Sequence, residues 1–297
     1  MTVLRKIYFK LFKPRKLWHM RHYNGFLFKA TRLENGAFAV SFAGPQRFQT
    51  SPLRVLKQQQ KHKNLAIIAS GPSVKALDFN SLKETDIALV NGAVLLSHQF
   101  ETESKNTMFL VTDPNFIEKN IENIKTKITP NIKCIFSMRA FYEFVTLDKE
   151  FLFKNVSNIF IIDQLHEPYK AYKENLPTLK LKHKINSPYT FDSTTSYGFS
   201  LDIEKGIFNG GTVVYSMLQI ATYMEYSSID IYGMDLSDSN RFYHEERPAA
   251  SRLVTEYESI ILPHLILASE VFKKLNIEIV NKSKVSRLPE TIFAKDV

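Results

Sequence analysis

Three apolar runs in this chain end in residues that can hold an anion or a sugar. The first, Leu65-Ala66-Ile67-Ile68-Ala69, runs into Ser70-Gly71-Pro72-Ser73. Gly71 permits close approach to the backbone, and Pro72 fixes the turn. Ser73 can cap the segment that follows, whose free amides attract anions. The second run ends in Val90-Asn91-Gly92-Ala93. An asparagine there can donate an amide to a phosphate or sugar oxygen without adding charge, or simply form a turn or cap. The third ends in Thr112-Asp113-Pro114-Asn115, where Asp113 also suits a helix cap with Pro114 in the first turn. Gly210-Gly211-Thr212 opens a helical stretch and offers a further cluster of amides. Gly233-Met234-Asp235 follows another apolar run, and Tyr243 stands eight residues beyond Asp235 in a polar loop. The chain has neither G-x-G-x-x-G nor the phosphate-loop lysine pattern at these places, so no one motif is specific. Their recurrence at successive strand ends points to a nucleotide site.

The elements that must position these residues are legible as a pattern. Apolar runs beginning at Leu65, Ile87, Thr107, Ile132, Asn158, Ser228 and Ile277 alternate with helical stretches. The clearest of these are Val213–Tyr226 and Ser251–Leu275. This alternation implies an α/β fold with a Rossmann-like, mostly parallel sheet covered on both faces. Such sheets bind ligands beyond the carboxyl ends of their strands. Asn35-Gly36 between two alternating runs signals a hairpin, followed by a short helix and a polar linker. The reading divides the chain into residues 1–63 (basic arm, hairpin and linker) and a single nucleotide-binding domain over residues 64–297. Lid-like loops are expected at about 176–206 and 236–250, the first polar and turn-rich with aromatic rings between Tyr189 and Tyr197.

Charge is concentrated at one end. Nine cations precede the first acidic residue, Glu34, and they equal the whole net charge of +9. The rest is a neutral globule, which argues against a nucleic-acid partner. Leu4, Ile7, Tyr8 and Leu11 follow helical spacing with Arg5, Lys6, Lys10 and Lys13 in the gaps, and Trp18 and Tyr23 add amphipathic rings. Residues 1–23 are therefore expected to meet an anionic membrane surface, the alternative being a basic helix packed on the body. No later stretch has the ~20 apolar residues a bilayer span needs. The single cysteine, Cys134, excludes a disulfide framework and a cysteine-based zinc site, and it fits a cytoplasmic protein.

Taken in order and spacing, these elements resemble the family 42 sialyltransferases. The likeness is closer to the Kdo transferases that add a third Kdo (3-deoxy-D-manno-octulosonic acid) to the inner core of lipopolysaccharide. It rests on Ser70-Gly71-Pro72, Val90-Asn91-Gly92, Leu110-Val111-Thr112-Asp113, Gly233-Met234-Asp235-Leu236 and Asn240-Arg241-Phe242-Tyr243, and spans roughly Asn64 to Lys274. The resemblance implies a CMP-sugar donor, CMP-Kdo, and an inverting transfer to Kdo-lipid A on the cytoplasmic face of the inner membrane. It places the phosphate and ribose against the Gly71–Ser73 turn, Asn91, Gly92, Gly211 and Thr212. Asp235, after Gly233, would lie near the ribose or cytosine, and Tyr243 on the leaving phosphate. Ser70 and Asp113 stand where the sialyltransferases have asparagines; Asp113 matches the Kdo group.

The histidine base of the sialyltransferases has no counterpart here. His264 sits in an apolar helix and reads as a core residue. Glu245 is the expected base and His244 the second choice, both directly after Tyr243. No Asp-x-Asp pair follows a strand, and CMP leaves as a monophosphate, so neither a metal nor another cofactor is expected. A sialyltransferase of a surface glycan and a membrane-bound nucleotide-binding adaptor without transfer activity are the competing readings.

Overall fold

The computed structural model describes residues 2–24, 28–42, 47–100, 106–155, 158–169, 174–183, 187–237, 241–243 and 252–295. The chain starts with helix α1 (Thr2–Phe12), and Pro14 then directs it into a 3-10 segment, Arg15–His22. The expected hairpin follows. Strand β1 (Phe28–Arg32) pairs antiparallel with β2 (Phe38–Phe42), and β3 (Arg47–Gln49) adds to β2. Gly36 takes φ 87°, a left-handed value that favours glycine, and the Asn35 side chain accepts from Ala37 N at 3.0 Å. A short helix, α2 (Arg54–Gln58), leads into the main sheet.

That sheet contains all seven apolar runs. Strands β4 (Asn64–Ile68), β5 (Asp86–Val90), β6 (Thr107–Val111), β7 (Lys133–Ser137) and β8 (Ile159–Ile162) lie side by side in chain order, all parallel. Between them run α3 (Pro114–Lys125) and α4 (Met138–Asn155). The chain then crosses back through α5 (Leu176–Lys182), the small hairpin β9 (Tyr189–Phe191) with β10 (Gly198–Ser200), and α6 (Val213–Tyr223). Strand β11 (Ser228–Tyr232) enters on the free side of β4. Helices α7 (Arg252–Thr255) and α8 (Leu262–Leu275) precede β12 (Glu278–Asn281), and β13 (Ala294–Lys295) completes the edge. The order is β13-β12-β11-β4-β5-β6-β7-β8. Strand order therefore reverses between β4 and β11, the point where sheets of this kind form their ligand crevice, at the carboxyl ends of the strands.

Both faces are covered, which is why the central strands are apolar throughout rather than alternating. Leu65, Ile67, Ala88, Val90, Met108 and Leu110 pack toward α6 and α8. Ala66, Ile68, Ile87, Leu89, Phe109 and Val111 face the other core, shared with α3, α4 and the N-terminal hairpin. The hairpin thus lies in the core of the sheet: Phe28 meets Tyr142 of α4 edge-on at 5.0 Å, and Phe48 stacks on Phe153 at 4.6 Å.

Two expectations change. The polar stretch 176–206 is not a bare loop. Tyr189, Phe199 and Ile203 are buried, and the rings of Tyr189 and Phe191 pack on Phe208. Its aromatic residues anchor it by apolar burial, which its polar composition masks. The single long helix expected near the C-terminus is broken: α7 passes through a wider turn, Tyr257–Ile261, before α8, where Pro263 occupies the first turn.

Candidate active site

The turn after β4 is built for contact with the turn after β11. Gly71 N donates to Gly233 O at 2.9 Å, and Ala69 N to Tyr232 O at 2.8 Å. Gly71 has an ordinary φ of −67°, so its role is space: a Cβ there would lie 2.5 Å from Gly233 O and 2.6 Å from the Asp235 carboxylate. Gly233 needs glycine for both reasons, with φ 70° and Ala69 O 2.6 Å from a would-be Cβ.

Asp235 sits within this contact, 3% exposed. Its carboxylate accepts from Ser73 N at 3.0 Å and from the hydroxyls of Ser73 and Ser283. This corrects the expectation of free amides here. Gly71 N and Ser73 N are engaged within the protein, and Asp235 occupies the place an anion would take. Ser283, two residues after β12, escaped the sequence reading, and so did Asn281 at the end of that strand. The strand-end rule applied to the seventh apolar run would have found both.

Beside it, the end of β5 carries a buried polar group with an unused hydrogen-bonding atom. Asn91 adopts φ 48°, a left-handed conformation that asparagine tolerates better than most residues. Its Oδ1 is buried and has no hydrogen-bond partner among the described residues. A buried acceptor without a donor is costly, about 1–3 kcal/mol, and marks a place for a ligand group. The Tyr243 ring lies against Gly92 so closely that a Cβ on Gly92 would be 2.1 Å from it. Phe242 N donates to Ser70 O at 3.2 Å. Residues 241–243 therefore close over the turns after β4 and β5. His244 and Glu245 lie outside the described residues.

The other candidates stand apart or serve the backbone. Asp113 caps α3, accepting from Asn115 N at 3.0 Å, with Pro114 in the first turn. Thr212 caps α6, accepting from Val214 N at 3.4 Å. Gly211, at φ 75°, gives its N–H to Asn209 Oδ1 at 3.1 Å. His264 is a core residue, as expected: its Nδ1 lies 2.6 Å from Ile260 O, and Tyr197 and Tyr215 meet its ring edge-on at 4.9 Å. Burial lowers its pKa. No group of three or more metal-ligating side chains occurs among the described residues.

Fold and crevice together define an α/β protein whose candidate ligand site lies at the switch point of a parallel sheet. The family model described as 3-deoxy-D-manno-octulosonic acid transferase WaaZ matches residues 48–292, and the chain belongs to that family. It is a glycosyltransferase of lipopolysaccharide synthesis. A probable 3-deoxy-manno-octulosonic acid transferase of Salmonella typhimurium is 26% identical over 219 residues, 71% of this chain and 79% of that protein. Its counterpart in Escherichia coli K12 is 26% identical over 230 residues, 72% of this chain and 76% of that protein. Among solved structures, the α-2,3-sialyltransferase Cst-I of Campylobacter jejuni aligns at TM-score 0.41 and 15% identity, covering 80% of this chain and 81% of that one. CstII of the same organism, in complex with cytidine-5'-monophosphate, aligns at TM-score 0.39 and 16% identity, covering 79% and 86%.

Proposed function

We propose that the protein transfers Kdo from CMP-Kdo to the Kdo-lipid A inner core, with inversion and without a metal. The observation that carries this reading is Asn91 Oδ1, buried at the switch point beside Tyr243 and without a hydrogen-bond partner among the described residues. A cytidine nucleotide presents the needed donors on its ribose and its amino group. In the reaction, an acceptor hydroxyl attacks the anomeric carbon of Kdo as the bond to the phosphate breaks. Tyr243 donates to the departing phosphate, offsetting its charge. Glu245 takes the acceptor proton. CMP leaves as a monophosphate, so neutral donors suffice and no divalent ion is required.

The acceptor is lipid-anchored, and α1 suits its surface. Ile7, Tyr8, Leu11 and Phe12 are exposed, with Leu11 at 71%, and Lys10 and Lys13 are exposed beside them. No described helix is long and apolar enough to cross a membrane. We place the protein peripherally on the cytoplasmic face of the inner membrane, where CMP-sugars and the growing core meet.

The test is a transfer assay with purified Kdo-lipid A, CMP-Kdo or CMP-sialic acid, and product mass spectrometry. Transfer of Kdo in the presence of EDTA is expected, and Asn91→Ala should weaken CMP binding by about 1–3 kcal/mol in calorimetry. Transfer of sialic acid alone, activity lost in EDTA and restored by magnesium or manganese, or unchanged CMP affinity would each overturn the corresponding part.

A further inference from the structure

The loop after β12 is fastened to the turn after β11. Lys282 N donates to Ile231 O at 2.8 Å, the Ser286 hydroxyl to Met234 O at 2.6 Å, and Arg287 N to Asp235 O at 3.0 Å. The Ser283 hydroxyl adds a bond to the Asp235 carboxylate. Asn281, the last residue of β12, stands where this loop begins and is 1% exposed. Its Oδ1 accepts from Ser283 N at 3.2 Å, which settles which end of the amide is the oxygen. The other end, Nδ2, is therefore a donor. It is buried and has no acceptor among the described residues. Pairing of β12 with β11 and β13 on either side, together with the bond from Ser283, holds the amide in place.

A buried donor without an acceptor is costly, and folded proteins leave few of them. Asn91 Oδ1 is its complement, a buried acceptor without a donor among the described residues, at the end of β5. The order β12-β11-β4-β5 sets the two asparagines on opposite sides of the switch point, three strand spacings or about 14 Å apart. One functional group cannot meet both, but two parts of one nucleotide can. Charge decides which part goes where. The Asp235 carboxylate is buried on the β11–β12 side, where it opposes a phosphate. The phosphate then belongs toward Asn91, where the Tyr243 ring lies against Gly92. The uncharged base falls toward Asp235 and Asn281.

We propose that Asn281 selects the base of the donor nucleotide, its Nδ2 donating to the acceptor edge of cytosine. The proposal rests on the CMP-sugar reading above and names a residue that enforces it. Cytosine N3 accepts a hydrogen bond, whereas uracil carries an N–H at that position. A fixed N–H donor therefore favours cytosine and sets donor against donor with uracil.

The test is calorimetry on the full chain, without acceptor, using CMP, UMP and ribose 5-phosphate. The wild-type protein should bind CMP roughly 10- to 100-fold more tightly than UMP, the effect of one hydrogen bond left unmade in a buried site. Asn281→Asp keeps the oxygen that Ser283 N needs and turns the free end into an acceptor. It should weaken CMP by a similar factor and narrow or reverse the preference over UMP. Asn281→Ala, which buries no new charge, should also lose the preference, and melting curves check that each variant folds. Ribose 5-phosphate has no base and should bind all three proteins alike, whereas a purely structural role would weaken it together with CMP. Equal wild-type affinities for CMP and UMP, an unchanged CMP-to-UMP ratio in a folded Asn281 variant, or ribose 5-phosphate weakened as much as CMP overturns the proposal. CMP selected through Asn281 by a protein that transfers no sugar supports the base contact and overturns only the transferase reading.

Discussion

At the scale of single residues, the roles proposed for Tyr243 and Glu245 should fail differently. On the proposed mechanism Tyr243→Phe removes a donor to the leaving phosphate, so turnover should fall about 10²–10³-fold while CMP affinity stays nearly unchanged. Glu245→Gln should stop transfer to the lipid acceptor yet leave slow donor hydrolysis. Rapid-quench measurement of CMP release with and without acceptor reads both. Normal transfer by Glu245→Gln and loss in His244→Ala would move the base to His244. His264 makes a separate prediction, on stability. Its folded pKa is depressed by burial, so the neutral ring is the stable form. Above the ordinary value of about 6.5 the ring is neutral in both states, and its contribution is complete. As pH falls below that value, the unfolded chain takes up a proton that the folded chain resists, and stability is lost. His264→Gln should flatten that acid-side slope in urea titrations between about pH 7 and 5.

At the scale of elements, the contact between the turns after β4 and β11 fixes the crevice. Asp235 ties Ser73 to Ser283, joining the ends of three strands across the point where sheet order reverses. Asp235→Ala should leave buried donors unpaired and cost about 3 kcal/mol or more in chemical denaturation. It should also weaken CMP binding, because the Gly71 turn loses its support. Asp235→Ala protein with wild-type stability would mean that Ser73 and Ser283 find other partners. The small helix and hairpin over 176–200 show how local composition misleads. Hydrophilic residues mark the exposed side, while Tyr189 and Phe199 decide where the segment lies.

At the scale of the whole molecule, the N-terminal arm has two halves with different roles. In α1 Ile7, Tyr8, Leu11 and Phe12 face outward and Phe9 inward, while the following segment is core: Met20, Tyr23 and His19 are buried, and the Tyr23 hydroxyl reaches Asp163 beyond β8. Deleting residues 2–12 should release the protein from anionic liposomes and leave CMP binding intact, with stability lowered by the loss of the buried Phe9. Each lost cation near the surface is worth about 1 kcal/mol, and the attraction fades with salt. Extending the deletion through Tyr23 should destabilise the fold by about 3–5 kcal/mol, the range for a buried aromatic residue. Undiminished liposome binding after the short deletion would assign α1 a structural role.

The sequence by itself determined the parallel α/β sheet, because strands buried on both faces must be apolar along their whole length, and it determined the hairpin at Asn35-Gly36. It also singled out Gly71, Asn91, Gly92 and Tyr243, since residues at strand ends are few and their chemistry is limited. The tertiary structure decided how they are used. It placed β11 beside β4, so the amides of Gly71 and Ser73 bond to Gly233 and Asp235, while Asn91 Oδ1 has no donor among the described residues. It brought the Tyr23 hydroxyl and the Arg32 guanidinium to Asp163 across more than a hundred residues of chain. No local pattern encodes such a meeting, because strand order and the path of a crossover depend on which surfaces the whole chain can bury together.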